Sequence, residues 1–341
     1  MNGFDIRVEG RAGRLTFSRP NALNALSSTM SIAAEHALDH WRDDNDVELI
    51  LIDAEGEKAF CAGGDIAELY SNGMKGQYSL GREFWRQEYR LNLKIADYPK
   101  PIVSMMQGYT MGGGVGVGCH ASHRIIGETS KIAMPECGIG LMPDVGGTSL
   151  LGNAPDGIGV FYGLTGARMN PADAIYAGFA DLFVPQTQWD ALKSELIETG
   201  KVENIKDYAT HAGVMQQTDV FKKLSDCFSG TTVAVIADAL SKRTEEIALN
   251  VENALRRGSP LALACTLLAV REAGDLSLAE ALGREYRFSH RAQEQGDILE
   301  GIRAQIIDKD YTPNWCHKFG QVPSVDIDKM RASLGALDWR V

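Results

Sequence analysis

The chain has 341 residues, of which 44% are hydrophobic and 23% are charged. This composition is that of a globular protein and differs from those of disordered or fibrous chains. The formal net charge of −11 argues against a nucleic acid as the main partner, because phosphate binding needs a basic face. An anionic small ligand is compatible with this charge, since local backbone donors and helix N-termini can hold it.

The six cysteines are scattered, with no Cys-x-x-Cys pair and no metal-type spacing to histidine. This pattern indicates reduced thiols and no metal site. The N-terminal segment has no apolar signal core, and no stretch reaches the roughly 20 apolar residues that cross a bilayer. We therefore expect a cytoplasmic protein with no membrane partner.

The first half of the chain alternates predicted strands with predicted helices. Apolar–polar alternation over residues 4–9 and 13–17 predicts a hairpin, and the spacing over 27–41 predicts an amphipathic helix. Apolar runs predict strands at 47–53, 58–62, 102–106 and 123–127, and helical spacing predicts helices from Asp65 and over 79–97. This order indicates a layered α/β domain.

The second half is predicted to be mainly helical. Helix starts are marked by Asn170-Pro171, by Ser259-Pro260 and by a capping box from Ser277 to Glu280, because these residues cap the first N–H groups of a helix. The polar stretch 196–216 is expected to be a loop or hinge. We therefore divide the chain into an α/β core, residues 1–190, and a mainly helical C-terminal region, residues 191–341.

Two glycine-rich segments stand out. Residues 60–65 place Gly63 and Gly64 between a strand and a helix, where backbone N–H groups are left pointing outward; taken alone, this is a tight turn with Asp65 as the N-cap. The run 108–118 carries glycines that cost about 1 kcal/mol each inside a helix. Either close packing or close approach of a ligand to the backbone would compensate, and the spacing is not that of a dinucleotide-binding loop.

The third segment, residues 134–147, holds Glu136 and Asp144 among apolar residues and glycines. Carboxylates so placed are candidates for acid–base roles. The alternative is that Glu136 ends a strand in solvent and Asp144 caps a helix over 145–151. Cys61 and Cys137 beside these motifs are interpreted as packing residues. Arg124 is given a structural role, and a metal pair at His120 and His123 is disfavoured.

In combination, these segments resemble the crotonase (enoyl-CoA hydratase/isomerase) superfamily. The resemblance rests on residues 19–26 (RPNALNAL), 59–66 (AFCAGGDI), 108–116 and 134–147. It implies an α/β fold, a crotonase-like spiral of ββα units with a helical C-terminal region. It also implies that the N–H groups of Gly64 and Gly113 form an oxyanion hole for a thioester carbonyl. The residues that would hold CoA are Ala22, Leu23, Ala62 and Ile66.

Within the superfamily, the chain is most similar to the branch that hydrolyses 3-hydroxyisobutyryl-CoA. Asp144 stands where hydratases usually carry glycine, and Gly116 stands where they carry their first catalytic glutamate. Residues 84–92 resemble a hydrolase helix whose glutamate, here Glu88, contacts the substrate. Residues 300–315 resemble the hydrolase C-terminus.

The resemblance implies hydrolysis of a short-chain 3-hydroxyacyl-CoA, above all of 3-hydroxyisobutyryl-CoA to 3-hydroxyisobutyrate and CoA in valine catabolism. Glu136 would be a general base or a nucleophile, and Asp144 and Glu88 would bind the 3-hydroxyl. No cofactor is expected, since CoA is part of the substrate, and a homo-oligomer is possible. The alternatives are an enoyl-CoA hydratase or isomerase of the same fold and a non-catalytic acyl-CoA-binding protein.

Overall fold

A computed structural model describes residues 3–340. The strands are β1 (Phe4–Glu9), β2 (Ala12–Phe17), β3 (Leu49–Ala54), β4 (Ala59–Cys61), β5 (Ile102–Met106), β6 (Tyr109–Met111), β7 (His123–Ile126), β8 (Lys131–Ala133) and β9 (Leu182–Phe183). The helices are α1 (Ser28–Arg42), α2 (Ile66–Gly73), α3 (Tyr78–Ala96), α4 (Gly113–Gly118), α5 (Gly147–Gly152), α6 (Ile158–Thr165), α7 (Pro171–Tyr176), α8 (Trp189–Thr199), α9 (Gln217–Leu224), α10 (Val233–Ser241), α11 (Glu246–Arg257), α12 (Pro260–Ala273), α13 (Leu278–Gln295), α14 (Ile298–Ile302) and α15 (Ser324–Arg331).

The strands form two sheets, one with the order β1-β2-β3-β5-β7-β9 and one with the order β4-β6-β8. The hairpin β1–β2 is antiparallel, and the later pairs of the larger sheet are parallel. From β3 onward, successive strands alternate between the two sheets, and helices separate the pairs. This alternation is a spiral of ββα units, which confirms the expected fold class. Gly64, Gly113 and Glu136 follow β4, β6 and β8, the three strands of the smaller sheet.

The chain forms two compact units that are interleaved along the sequence. Unit 1 contains the described residues up to Gly64, together with Gln87–Ile132 and Met169–Met215. Unit 2 contains Asp65–Arg86, Ala133–Arg168 and the described residues from Gln216 onward. The proposed division near residue 190 was based on helix content, and it stays a prediction.

The core of unit 1 lies between its parallel strands and α8. Trp189, Leu192 and Leu196 of this helix pack with buried residues of β3, β5 and β7. Their spacing of three and four residues gives α8 one apolar face. The predicted loop at 196–216 is therefore wrong in part: α8 extends to Thr199, and residues 203–208 form a 3₁₀ helix. The polar residues of this stretch cover the outer side of these turns.

Unit 2 has its own apolar core and is almost wholly helical. The rings of Phe161, Phe221 and Phe228 lie within 6.0 Å of one another. The predicted helix starts are confirmed, since Ser259 caps α12 and the Ser277–Glu280 capping box begins α13. Among residues 3–340, no helix is both long and apolar enough to span a bilayer.

A buried ion cluster joins β2, β3 and α8 in unit 1. The Asp53 carboxylate accepts hydrogen bonds from Arg14 Nη2 at 2.7 Å and Thr16 Oγ1 at 2.6 Å, and Lys193 Nζ lies 3.0 Å away. Burial raises the pKa of Asp53, but the charges of Lys193 and Arg14 and the Thr16 hydroxyl outweigh this effect and lower it. The charged form of Asp53 therefore stabilises the fold.

We expect Asp53→Asn to lower the free energy of unfolding at pH 7 by about 3 kcal/mol, because two cations lose a buried partner. Since the folded-state pKa of Asp53 is lowered, this stabilisation is present above the unfolded pKa of about 3.9 and is lost as the pH falls below it. Denaturant unfolding of both proteins at pH 7 and pH 3.5 measures the difference. The exposed Asp46→Asn is the control, and equal stability of Asp53→Asn and wild type at pH 7 would contradict the assignment.

Candidate active site

The turn after β4 presents one of the two predicted oxyanion donors. Ala62 N donates to Leu23 O at 3.1 Å, and Leu26 N donates to Gly63 O at 2.9 Å. Gly63 adopts a φ of +122°, a conformation that favours glycine. Within residues 3–340, the N–H of Gly64 donates to no other group of the protein. The turn therefore keeps this N–H available.

The second predicted donor lies beside the first. Gly112 has a φ of +48°, and α4 begins at Gly113, so the Gly113 N–H is one of the helix-start groups without an intrahelical acceptor. Gly64 N lies 3.5 Å from the position that a Cβ atom of Gly113 would occupy. The structure thus brings Gly64 and Gly113 together in unit 1.

Close packing explains part of the glycine run, and the approach of a ligand stays a prediction. A Cβ at Gly114 would overlap the carbonyl oxygen of Cys61, and one at Gly118 would lie 2.5 Å from Met106 Sδ. These contacts are close packing of α4 against β4 and β5. A Cβ at Gly113 would instead meet the carboxylate of Glu88. Because residue 113 is glycine, no side chain stands between the start of α4 and the Glu88 carboxylate.

Glu88 lies on α3 and is 2% exposed. Its carboxylate faces Gly113, as described, and its charge contributes to raising the pKa of the buried Cys61 thiol. A carboxylate beside two available N–H groups is where a substrate hydroxyl could be recognised. This placement agrees with the substrate-contacting role that the resemblance implies, and that role stays a prediction.

Three of the predicted CoA-binding residues lie together in unit 1. Ala22 and Leu23 are exposed, and Leu23 is held at a φ of +50°. The loop is fixed by buried Asn24, whose side-chain amide donates to Glu55 O at 3.0 Å and Ala59 O at 2.8 Å. The hydrogen bond from Ala62 to Leu23 then joins this loop to the glycine turn. Ile66, the fourth predicted residue, begins α2 in unit 2 and is half-buried.

Gly114→Ala tests the close approach of α4 to β4. We expect it to lower the free energy of unfolding by about 1–3 kcal/mol, because the added methyl group meets a backbone carbonyl that cannot rotate away. Chemical denaturation measures the loss. Gly138→Ala is the control, since a Cβ there meets no atom within 4 Å; equal stability of the two variants would show that the approach is not tight.

Glu136 lies in a buried turn of unit 2. It begins a 3₁₀ helix, Glu136–Ile139, and is 5% exposed, so the alternative of a strand end in solvent is wrong. The turn is held from α12, because Ser259 N donates to Cys137 O at 2.8 Å. The Ser259 hydroxyl in turn donates to buried Asp297 at 2.6 Å. A Cβ at Gly301 would overlap Ile139 O, so α14 also packs directly on this turn.

Asp144 is 4% exposed, and it does not cap the helix that follows. That helix, α5, begins at Gly147 with Gly146 as its N-cap residue, and Val145 has a φ of +54°. The predicted cap and the predicted helix start at 145 are therefore wrong, because two consecutive left-handed residues separate Asp144 from the helix. The turn keeps Asp144 buried beside the helix start.

Glu285 supplies the acceptor at this helix start, and no sequence pattern indicates this role. Its carboxylate accepts from Gly146 N at 2.8 Å, from Thr148 N at 2.9 Å and from the Thr148 hydroxyl. Burial and the charge of Asp144 together raise the pKa of Glu285 to about 7, although the three donors act in the opposite direction. In the sequence, Glu285 is one of several glutamates on a polar helix.

The remaining candidates have structural surroundings. Burial raises the pKa of the Cys61 and Cys137 thiols to about 12, which opposes a thiolate nucleophile. Arg124 donates through Nε to Asp181 at 3.0 Å, so its structural role is confirmed. Asp65 stands at the N-cap of α2, but its side chain makes no capping hydrogen bond. Among residues 3–340, no group of three or more His, Cys, Asp or Glu side chains is placed to hold a metal.

The predicted site residues thus form two sets. Unit 1 contains the set Gly64, Gly113, Glu88, Ala22, Leu23 and Ala62, and unit 2 contains the set Glu136, Asp144 and Ile66. The first set offers backbone donors and an exposed loop. The second offers buried carboxylates fixed by the C-terminal helices. Paired N–H donors are suited to a developing oxyanion, and buried carboxylates are suited to proton transfer or nucleophilic attack.

Comparison with known proteins places this arrangement in a family. The sequence profile described as enoyl-CoA hydratase/isomerase matches residues 12–331. The chain belongs to the enoyl-CoA hydratase/isomerase family. The predicted resemblance is thereby confirmed, and the match includes the C-terminal helices that hold the Glu136 and Asp144 turns.

Curated members of this family include proteins named 3-hydroxyisobutyryl-CoA hydrolase, mitochondrial. The one from Rattus norvegicus is 37% identical over 345 residues, which cover 98% of this chain and 89% of that protein. The one from Mus musculus is 38% identical over 346 residues, with the same coverages. The chain therefore aligns with these relatives along nearly its whole length.

Solved members of the family carry other names. A crystal structure of an enoyl-CoA hydratase from Rhodobacter sphaeroides 2.4.1 has a TM-score of 0.93 and 50% sequence identity, and covers 99% of this chain and 100% of that one. A crystal structure of a carnitinyl-CoA dehydratase from Mycobacterium thermoresistibile has a TM-score of 0.93 and 38% identity, and covers 98% and 97% of the two chains. These structures confirm the fold over both units.

Proposed function

We propose that this protein hydrolyses 3-hydroxyisobutyryl-CoA to 3-hydroxyisobutyrate and CoA, the reaction that belongs to valine catabolism. The observation that carries the proposal is the alignment, over 98% of the chain, with relatives named for this hydrolysis. Two features support it chemically. One is the pair of buried carboxylates, Glu136 and Asp144, and the other is the pair of N–H groups of Gly64 and Gly113, which lie beside each other.

The second candidate is an enoyl-CoA hydratase, since a protein so named is 50% identical to this chain. Hydration of a double bond uses two carboxylates to handle one water molecule, and the family pattern puts the first of them at position 116. This chain has Gly116 there, and α4 consists only of glycine and valine. The missing acid favours hydrolysis over hydration.

The chemical step needs a polarised thioester. In our proposal, the N–H groups of Gly64 and Gly113 donate to the thioester oxygen and stabilise the negative charge that develops when the carbonyl carbon is attacked. Loss of one such donor typically raises the barrier by about 3–4 kcal/mol. Collapse of the tetrahedral intermediate breaks the carbon–sulfur bond, and the departing thiolate takes up a proton to give CoA.

Two routes remain open for Glu136. As a general base, it takes a proton from water, and the hydroxyl oxygen attacks the carbonyl carbon. As a nucleophile, its carboxylate attacks that carbon and expels the thiolate, and water then hydrolyses the mixed anhydride. Both routes consume one water molecule and return Glu136 to its starting form. A buried carboxylate in a fixed turn is compatible with either.

We assign Asp144 and Glu88 to the 3-hydroxyl of the substrate. Both side chains are buried, and an acyl-CoA that lacks the 3-hydroxyl cannot form these hydrogen bonds. Such a mismatch discriminates strongly between substrates. The hydrogen bonds to the 3-hydroxyl account for selectivity toward 3-hydroxyacyl groups. The residues proposed to hold CoA are Ala22, Leu23, Ala62 and Ile66.

Several broader expectations stay predictions. The substrate supplies CoA, and we propose no further cofactor. A homo-oligomer stays a prediction. The cytoplasmic location also stays a prediction, because the curated relatives are named mitochondrial; its support is that the cysteines of the described chain are free thiols.

The assay that separates the two candidate functions follows two signals from purified protein. With 3-hydroxyisobutyryl-CoA, we expect release of free thiol, measured with a thiol reagent. With crotonyl-CoA, we expect no loss of the enoyl absorbance. Hydration of crotonyl-CoA without thiol release from the hydroxyacyl substrate would overturn the proposal in favour of a hydratase, and binding without turnover of either would favour a non-catalytic acyl-CoA-binding protein.

Glu136→Gln tests the role of the carboxylate. We expect kcat for thiol release to fall on the order of 100- to 10,000-fold, because the amide can neither accept the proton of water nor form the anhydride. The unfolding midpoint should change little, since the two side chains have the same shape. Glu246→Gln, at the exposed start of α11, is the matched control. Turnover in Glu136→Gln equal to that of the control would remove Glu136 from the mechanism.

A further inference from the structure

The turn that carries Asp144 is strained. Val145 has a φ of +54° and Gly146 a φ of +79°, and the first of these is uncommon for a β-branched residue. Such a conformation persists only where the surrounding structure imposes it, and it is frequent at functional sites. The contacts that impose it here therefore decide where the Asp144 side chain stands.

Glu285 makes the contacts that stabilise this turn. It is 1% exposed, and its two carboxylate oxygens accept from Gly146 N at 2.8 Å and Thr148 N at 2.9 Å, with the Thr148 hydroxyl as a third donor. These donors begin two residues after Asp144. An acceptor that fixes both N–H groups fixes the path of the backbone between them and Asp144.

We propose that Glu285 is a positioning residue, whose carboxylate holds the turn that orients Asp144 and is electrostatically coupled to the Asp144 carboxylate. The effect on turnover rests on the proposed function, because it requires Asp144 to contact the substrate. The coupling does not depend on that function, since it is a property of two buried acids in unit 2.

The charged surroundings of Glu285 support the coupling. Its other charged neighbours line a cavity of about 280 Å³ that Glu285 and Thr148 also line, namely Glu272, Arg284, Arg287, Asp328 and Arg331. The arginines are engaged with other acids: Arg284 and Arg331 contact Glu272 at 2.8 and 2.6 Å, and Arg287 contacts Asp338 at 3.1 Å. Burial, with a contribution from the negative charge of Asp144, raises the pKa of Glu285 to about 7.

The protonation state of Glu285 then affects the turn. When it is ionised, its oxygens accept from all three donors. When it is protonated, one oxygen becomes a donor itself and competes with the N–H or O–H that it faced. The turn is therefore held most firmly when Glu285 is ionised, and turnover should rise as the pH increases through about 7.

The kinetic test compares Glu285→Gln, Asp144→Asn and the double variant. We expect Glu285→Gln to lower kcat roughly 10- to 100-fold, the range that corresponds to a hydrogen bond to a charged group. The change in KM should be smaller. The variant should also lose the inflection near pH 7 in the pH profile of kcat. In the Asp144→Asn background, the same change should have little further effect. Independent, multiplicative effects of the two changes would overturn the proposal.

Two further variants separate positioning from general stability. Glu280→Ala removes the capping acceptor of the same helix, α13, and should lower the unfolding midpoint without changing kcat. Thr148→Val removes one of the three donors and keeps the side-chain size, so it should lower kcat less than Glu285→Gln does. It also serves as the test variant if Glu285→Gln fails to fold. If kcat fell in Glu280→Ala as much as in Glu285→Gln, the effect would be one of helix stability and the proposal would be overturned.

Carboxyl-carbon NMR of glutamate-labelled protein tests the coupling without turnover. The resonance absent from Glu285→Gln identifies Glu285, and its titration midpoint should move downward in Asp144→Asn, because a neighbouring negative charge is removed. An unchanged midpoint would overturn the coupling even in an active hydrolase. Conversely, absence of thiol release by wild type would overturn the proposed function, while a shifted midpoint would still support the coupling.

Discussion

The position of α4 depends on one contact between two backbones. Gly114 stands against the carbonyl of Cys61, where any side chain would overlap it. Because of this approach, the N–H of Gly113 at the helix start lies beside that of Gly64 after β4. In our proposal, the thioester oxygen of the substrate accepts from both of these N–H groups. The proposed oxyanion hole of unit 1 therefore depends on close packing of α4 against β4.

In unit 2, the corresponding constraint is the burial of acids. Glu136, Asp144, Glu285 and Asp297 are each 5% exposed or less, and a buried charge is tolerated only with compensating donors. Ser259 and Cys316 N donate to Asp297, and Gly146 and Thr148 donate to Glu285. Helices after residue 258 thereby hold both ends of the segment 136–148. The C-terminal region is part of the catalytic architecture in our proposal, which gives a physical reason for its presence in the aligned relatives.

Proteins with the same fold carry names for hydration, dehydration and hydrolysis. In our proposal, the fold supplies two backbone donors that polarise the thioester carbonyl, and the positions that bear a carboxylate decide the reaction. In this chain, Gly116 removes an acid from unit 1, and Asp144 is a buried acid of unit 2. This distribution of acids is the chemical reason for which we propose hydrolysis.

Features that arise from local interactions can be predicted from the amino-acid sequence. The hairpin, α1, β3 and β5 follow from periodicity, the starts of α12 and α13 follow from capping residues, and the glycine and MPE segments together revealed the family and its fold. The other features depend on contacts between segments that are distant in the sequence. Strands β6 and β8 have three residues each, too few to show a pattern, and they exist because neighbouring strands pair with them. The left-handed Val145 and the partnership of Glu285 with Gly146, 139 residues away, arise from packing between distant segments. No local sequence pattern encodes such contacts, so the role of Glu285 is visible only in the folded chain.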